Sequence, residues 1–222
     1  MRSWGILGGL VDLILAAGVF LVFGRAWRGS WLFDDPAILD MEFQLERRQL
    51  AGNLALMFRR PWLPDRLLTH LGYQWTYDVA GLRVEAWHIV NVAMHAGASV
   101  MVHRLMLGWV DPFTAAAVAA VFAFHPLQVS AVCYISGRAG LQSVLFTLAG
   151  LMCFQLHAWP AAIVSQWFAW KSKEDAIVYT AFYPICGFLF TRMPDTTALP
   201  YGAFVYSLTL IIRSCAGFFH PS

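Results

Sequence analysis

Charge is what this sequence has least of. Asp, Glu, Lys and Arg make up 13% of its 222 residues, about half of the roughly 25% found in soluble domains. With 59% hydrophobic residues and a mean hydropathy of +0.59, the composition excludes an ordinary water-soluble domain and points to a membrane protein. Cysteine is also sparse. Cys133, Cys153, Cys186 and Cys215 stand alone with no CxxC pair, so neither a zinc site nor a redox motif is suggested. A net charge of +2, without a basic aromatic patch, excludes nucleic acid as the partner. No internal repeat is visible, which weighs against a transporter or flippase built from paired halves. No small-x-small cleavage site follows the first apolar run, so that run reads as an uncleaved helix and not a signal peptide.

What charge there is sits in one place. Sixteen of the twenty-eight charged residues, eight acidic and eight basic, fall between Arg25 and Glu85. That stretch reads as a long polar loop with short interfacial helices, and the rest of the chain as candidate spans. Gly5 to Phe23 is the first span, and Asp12 within it predicts a polar contact to a neighbouring helix. Asp35-Pro36 starts an amphipathic surface helix, with Ile38, Met41 and Leu45 on one side and Asp40, Arg47 and Arg48 on the other. Further spans are expected over Ala86 to Leu107, Phe113 to Phe124, Leu141 to His157, Trp159 to Trp170, Ala176 to Phe190 and Leu199 to Ile212, with a mildly amphipathic segment from Leu127 to Ala139. Several are shorter than the about 20 residues a span needs.

The alternation of spans carries a functional expectation. With the N-terminus inside, the polar clusters FDD (Phe33 to Asp35), HPLQ (His125 to Gln128), SGR (Ser136 to Arg138) and KSKE (Lys171 to Glu174) all collect on the outer face. Arg2, Arg104 and Arg192 fall inside, as the positive-inside tendency asks. Two acids and several cations at one face suit an anionic, lipid-linked substrate. Arg138, Lys171 and Lys173 are candidates to hold a phosphate or diphosphate; interfacial anchoring of the same side chains is the plainer alternative. Asp35, before Pro36, has a capping role available. Asp34 has none, and is the candidate general base. The Asp34-Asp35 pair also suits a divalent metal, Mg or Mn. His88, Asn91 and His95 form one helical stripe; the two histidines stand about 10.5 Å apart along the axis, too far to share an ion, so interhelical hydrogen bonding is expected. His125 ends a span at the polar face and is a candidate substrate contact.

The blocks FDDPAI, RRPWLPDRLLTH, WHIVNVAMHAGASVMVHRL, AAAVAAVFAFHPLQVSAVCYISGRAG and KSKEDAIVYTAFYP resemble, in order and spacing, the membrane part of the C-type (GT-C) glycosyltransferases. The resemblance runs over about residues 30 to 190. It is strongest to proteins that join this part to tetratricopeptide repeats, and extends to the protein O-mannosyltransferases. It implies a polytopic helical fold and a polyprenyl-phosphate sugar donor. It places the catalytic acid in the first outer loop, at Asp34 with Asp35 beside it, and lipid-phosphate contacts at His125, Arg138, Lys173 and Glu174, with His88 among the substrate-binding candidates. The family pattern has an acid after SGRA, where this chain has Gly140. The relatives are much longer, so the chain reads as a truncated member.

The expectation is therefore an all-α polytopic membrane protein of about seven transmembrane helices, GT-C-like, forming a single domain over 1–222 with residues 25–85 as its first extracytoplasmic loop. It would lie in a bacterial inner (plasma) membrane, N-terminus cytoplasmic and active face periplasmic. The expected activity is sugar transfer from a polyprenyl-phosphate sugar lipid to an acceptor hydroxyl. The alternative is a non-catalytic accessory subunit of a larger membrane complex, touching membrane lipids and partner subunits.

Overall fold

The computed structural model of the chain describes residues 5–28 and 66–183. The FDDPAI stretch, the surface helix expected after Pro36 and the span expected from Leu199 lie outside the described residues, as do Cys186 and Cys215. Within them every regular element is helical: α1 (Gly5–Phe23), a 3-10 turn (Gly24–Arg28), α2 (Leu67–Ala80), α3 (Val84–Met106), α4 (Pro112–Phe124), α5 (Gln128–Cys133), a second 3-10 turn (Ile135–Gly137), α6 (Arg138–Gln155), α7 (Trp159–Ser172) and α8 (Ala176–Tyr179). Two stretches, Leu7–Ala26 and Ile135–Gln155, are long and apolar enough to cross a membrane. The α3 helix has the length (23 residues), but its three histidines, Asn91, Glu85 and Arg104 lower its hydropathy.

The α3 helix is the hub, packed against α1, α4 and α6. Its neighbours run antiparallel to it, as pairs of contacts at opposite ends show. Asp12, early in α1, meets His103 late in α3, while Phe23 at the end of α1 stands edge-on to His95 at 5.4 Å. Asn91 bonds Arg138 at the start of α6, while Gln155 at its end donates to the Leu105 carbonyl at 3.2 Å. The α6–α7 pair is also antiparallel, with Phe154 against Trp159 at 4.8 Å and Phe146 against Phe168 at 5.5 Å. The core of Leu15, Val19, Val92, Ala96, Ala119, Ala123 and Leu141 fills the space between α1, α3, α4 and α6. Outward, Leu10, Leu13, Leu21, Phe113 and Val121 are exposed, the surface that lipid covers in a membrane protein.

Local chemistry sets the boundaries. Asp111 caps α4, its carboxylate accepting from the Phe113 and Thr114 amides at 3.1 Å, with Pro112 in the first turn where a missing N–H costs nothing. The expected segment Leu127 to Ala139 is not one helix. It breaks at Tyr134, which is extended (φ −93, ψ 136), because its carbonyl turns to accept from Asn91 Nδ2 at 2.8 Å. The helix expected from Ala176 is interrupted at Thr180 and Ala181.

Asp12 finds the polar contact its position asks for. Its carboxylate takes His103 Nδ1 at 2.6 Å and also pairs with Arg104, clamping α1 to α3. Arg104 is thereby neutralised. Asp12→Ala should lower stability by about 1–2 kcal/mol, read as an earlier unfolding transition of the purified protein in detergent.

Candidate functional site

Both 3-10 turns, the start of α3, the ends of α4 and α7 and the starts of α6 and α8 lie at one end of the bundle. The HPLQ, SGR and KSKE clusters therefore share an end, and α2 lies across it. The first turn of α2 rests on the end of α7, where Thr69 Oγ1 donates to the Ser172 carbonyl at 2.9 Å. Its middle covers the second 3-10 turn, where the Tyr73 hydroxyl donates to the Ile135 carbonyl at 3.2 Å. The chain then turns at Gly81 (φ +59), a left-handed position that suits glycine, and Trp87 Nε1 donates to the Gly81 carbonyl at 2.9 Å. The α2 helix can lie close because Gly72 has no side chain: a Cβ there would stand 2.8 Å from Gln142 Nε2.

Under α2 sits Arg138, with 0% of its surface exposed. Its Nε donates to Asn91 Oδ1 at 3.0 Å, Nη1 to Thr76 Oγ1 at 2.8 Å and to the Gly72 carbonyl at 3.3 Å, and Nη2 to the Trp87 carbonyl at 3.1 Å. Cζ lies 4.9 Å from the Tyr73 ring centroid and 5.2 Å from that of Trp87, within cation–π range. All these acceptors are neutral, and no carboxylate among the described residues pairs with this guanidinium. Its planar fork satisfies four carbonyl or side-chain oxygens from α2 and α3 at once, which an ammonium cannot do. Arg138 is thus placed to hold the bundle end together and to charge it, with most of its donors already engaged.

The other expected site residues fall around it. His88 is buried at the start of α3, one turn before Asn91. His95, further along that stripe, bonds through Nε2 with the Ala123 carbonyl at 2.9 Å. His125 is exposed at the C-terminus of α4, and its Nδ1 accepts the Leu127 amide at 3.2 Å, which leaves the proton on Nε2. Lys171 is fully buried, its ammonium 6.0 Å from the Trp170 ring. Lys173 is half-exposed and pairs with Asp175 at 2.8 Å. Glu174 forms a two-pronged ion pair with Arg66, one arm at 2.8 Å. Arg66 holds Glu174 well below the usual carboxylate range, at about 2, and Glu174 in turn raises the Arg66 guanidinium. These residues share an end of the bundle, not one hydrogen-bond network. A side chain at Gly140 would meet open space. Asp34 and Asp35 lie outside the described residues. Among the described residues no group of three His, Cys, Asp or Glu is placed to hold a metal.

What the sequence did not announce is α2 and its acceptors. Gly72, Tyr73, Thr76 and Trp87 supply most of the Arg138 cage, and of these only Trp87 stands in a block that the sequence marks. The one signal was Arg138 itself, a cation at the start of an apolar run that had to find partners.

Among the described residues the architecture is all-helical with a charged, partly buried end, and its two long apolar helices suggest membrane association. Comparison with known proteins adds its kin. The chain is 30% identical over 134 residues to the protein O-mannosyl-transferase TMTC2 of Homo sapiens, covering 50% of this chain and 16% of that protein. It is 32% identical over 89 residues to TMTC3 of Mus musculus, covering 40% and 10%. With tmtc2 of Xenopus laevis it shares 27% over 220 residues, covering 89% and 24%. These are distant relatives, O-mannosyl-transferases by name, and the chain spans less than a quarter of the length of the curated relatives it matches. No family model and no solved structure matches.

Two outcomes follow. Replacing Arg138 by Met should cost roughly 3 kcal/mol, since it strands several buried acceptors, and Lys should recover part of that; thermal unfolding in detergent reads both. The Arg66–Glu174 pair should hold fully above pH 4.5, the ordinary value for this group. Because the folded value is depressed, its contribution is lost as pH falls toward about 2. Limited proteolysis near residue 66 should accelerate over that window in the wild type, and at neutral pH in Glu174→Gln.

Proposed function

We propose that the chain is, or is the donor-binding part of, a membrane glycosyltransferase that moves a sugar from a polyprenyl phosphate to an acceptor hydroxyl on the extracytoplasmic face. The observation that carries this reading is the buried Arg138 charge, whose partners among the described residues are all neutral, at the bundle end shared by His125, Lys171 and Lys173. A standing positive potential at a membrane boundary favours an anionic lipid phosphate. The kinship with protein O-mannosyl-transferases supplies the chemistry. Asp34 takes the proton from the acceptor hydroxyl as its oxygen attacks the sugar carbon. The bond from that carbon to the phosphate oxygen breaks, and polyprenyl phosphate leaves with the electron pair. A single displacement inverts the sugar carbon. Lys173 and His125 contact the phosphate, while Arg138 acts through its field and through the placement of α2. Were a divalent metal such as Mg or Mn required, Asp34 and Asp35 are the pair that would hold it, and it would supply charge stabilisation beside the donor phosphate. The N-terminus is cytoplasmic in this reading.

One feature favours a second reading, a non-catalytic membrane subunit: Gly140 leaves open space where the resembling family carries an acid. Transfer assays separate the two. Asp34→Asn should reduce turnover by at least about a hundredfold, the usual scale for a general base, while the protein keeps its unfolding temperature and still binds donor. Unchanged turnover in Asp34→Asn sinks the assignment of the base. Absence of turnover in the wild type, with stable co-purifying subunits, favours the accessory reading.

A further inference from the structure

Both ends of α2 are set in unusual backbone. Among the described residues three take a positive φ, and two of them bracket this helix: Arg66 before it (φ +50) and Gly81 after it (φ +59). The left-handed position suits Gly81. At Arg66 it is strained, because a side chain crowds the backbone there. Arg66 is tied down by its two-pronged pair with Glu174, half-exposed on both sides. Between these points α2 is lightly seated. Of its 14 residues only Leu67, Thr69, Tyr73 and Thr76 are buried, and three of those four carry hydroxyls. The hydrogen bonds that seat it run from Thr69 to Ser172, from Tyr73 to Ile135, and from Arg138 to Thr76 and Gly72. A segment with few apolar contacts opens at a fraction of the free energy of global unfolding.

Beneath α2, Arg138 and Gln142 stand four residues apart on one face of α6, and both meet Gly72. The Gly72 carbonyl takes Arg138 Nη1 at 3.3 Å, and Gln142 Nε2 fills the space that a Cβ at Gly72 would need. Gln142 is 7% exposed, and its Oε1 is buried with no hydrogen-bond partner. A buried acceptor left unmet costs free energy, so the docked helix leaves the surface under it incompletely satisfied. Arg138 Nη1 is met by a hydroxyl and a carbonyl, neutral acceptors weaker than a phosphate oxygen. We infer that α2 is a lid, latched at Arg66–Glu174 and hinged at Gly81, whose opening exposes Arg138 Nη1 and Gln142 Oε1 to a glycosyl phosphate. The guanidinium then donates to a phosphate oxygen, and the amide oxygen accepts from a sugar hydroxyl. The identity of this ligand rests on the proposed function; the lid does not. Two sets of contacts suit the motion. Asn91 and the Trp87 carbonyl, both from α3, keep hold of Arg138 Nε and Nη2 when α2 lifts. Trp87 Nε1 pins the Gly81 carbonyl, so the hinge end stays while the latch end moves.

The test reads access to position 142. Gln142→Cys is made in the full chain with its natural cysteines changed to Ser, and reacted in vesicles with a charged methanethiosulfonate. Thr147→Cys, at a position 5% exposed further along α6, reports general loosening. Adding Glu174→Gln should speed labelling at 142 about two- to fivefold, the population shift that loss of an exposed ion pair gives, and leave 147 unchanged. Polyprenyl phosphate should slow the faster reaction. An unchanged rate at 142 would overturn the lid, as would an equal rise at both positions. A rise confined to 142 that polyprenyl phosphate does not slow upholds the lid and counts against the donor alone. Hydrogen exchange on the chain without added cysteines covers any misfolding of the Cys variants. There Glu174→Gln should speed exchange of the α2 amides and leave those of α3 and α6 unchanged; a uniform change, or none, would overturn the inference.

Discussion

The described structure turns on one buried charge. Arg138 is taken out of water at the start of α6 with no acid to meet it, and a buried ion without compensation costs several kcal/mol. The chain meets that cost with geometry. Two backbone carbonyls, a Thr hydroxyl, an Asn oxygen and two aromatic rings converge on the guanidinium. They come from α2 and α3, so the cage exists only when these helices and α6 are docked together. The break at Tyr134 belongs to the same arrangement, since Asn91 accepts from Arg138 and donates to the Tyr134 carbonyl.

The two ends of the bundle handle charge differently. At the far end Asp12 meets His103 and Arg104, so charges cancel and α1 is clipped to α3. At the α2 end, Arg66 with Glu174 and Lys173 with Asp175 also cancel, but Arg138 meets no carboxylate among the described residues. A neutralised end is a scaffold. In the proposed function a cation without a carboxylate partner favours an anion, and in a membrane the abundant anions are lipid phosphates. This asymmetry connects the packing to the proposed chemistry.

Much of this was legible in the sequence, for identifiable reasons. The first helix has the limits that its apolar run sets, Gly5–Phe23. The fourth helix ends where its apolar run ends, at Phe124. The stripe of His88, Asn91 and His95 faces inward because polar groups in an apolar helix must find one another. Counting spans was enough to bring HPLQ, SGR and KSKE to one end. Illegible were the features that depend on distant residues. Nothing local stops a helix at Tyr134; the bond from Asn91, 43 positions away, does. The α2 helix was expected only as one of the short interfacial helices of residues 25–85, and its limits and contacts were not legible because its buried side is hydroxyl and its apolar side exposed. Arg138 was read as a fork open to phosphate, whereas its fork is filled by acceptors 47 to 66 positions away.

The most direct measurement is equilibrium binding of a polyprenyl-phosphate sugar to the purified chain, comparing wild type, Arg138→Gln and Thr76→Val. If the buried charge draws the donor phosphate, the wild type binds saturably and polyprenyl phosphate competes. Arg138→Gln should then lose roughly tenfold in affinity, as a unit charge at about 10 Å in a partly polar medium would give, and Thr76→Val should lose little. Saturable binding that Arg138→Gln and Thr76→Val weaken equally would reduce Arg138 to a structural tie. No saturable binding by the wild type would contradict the donor site itself.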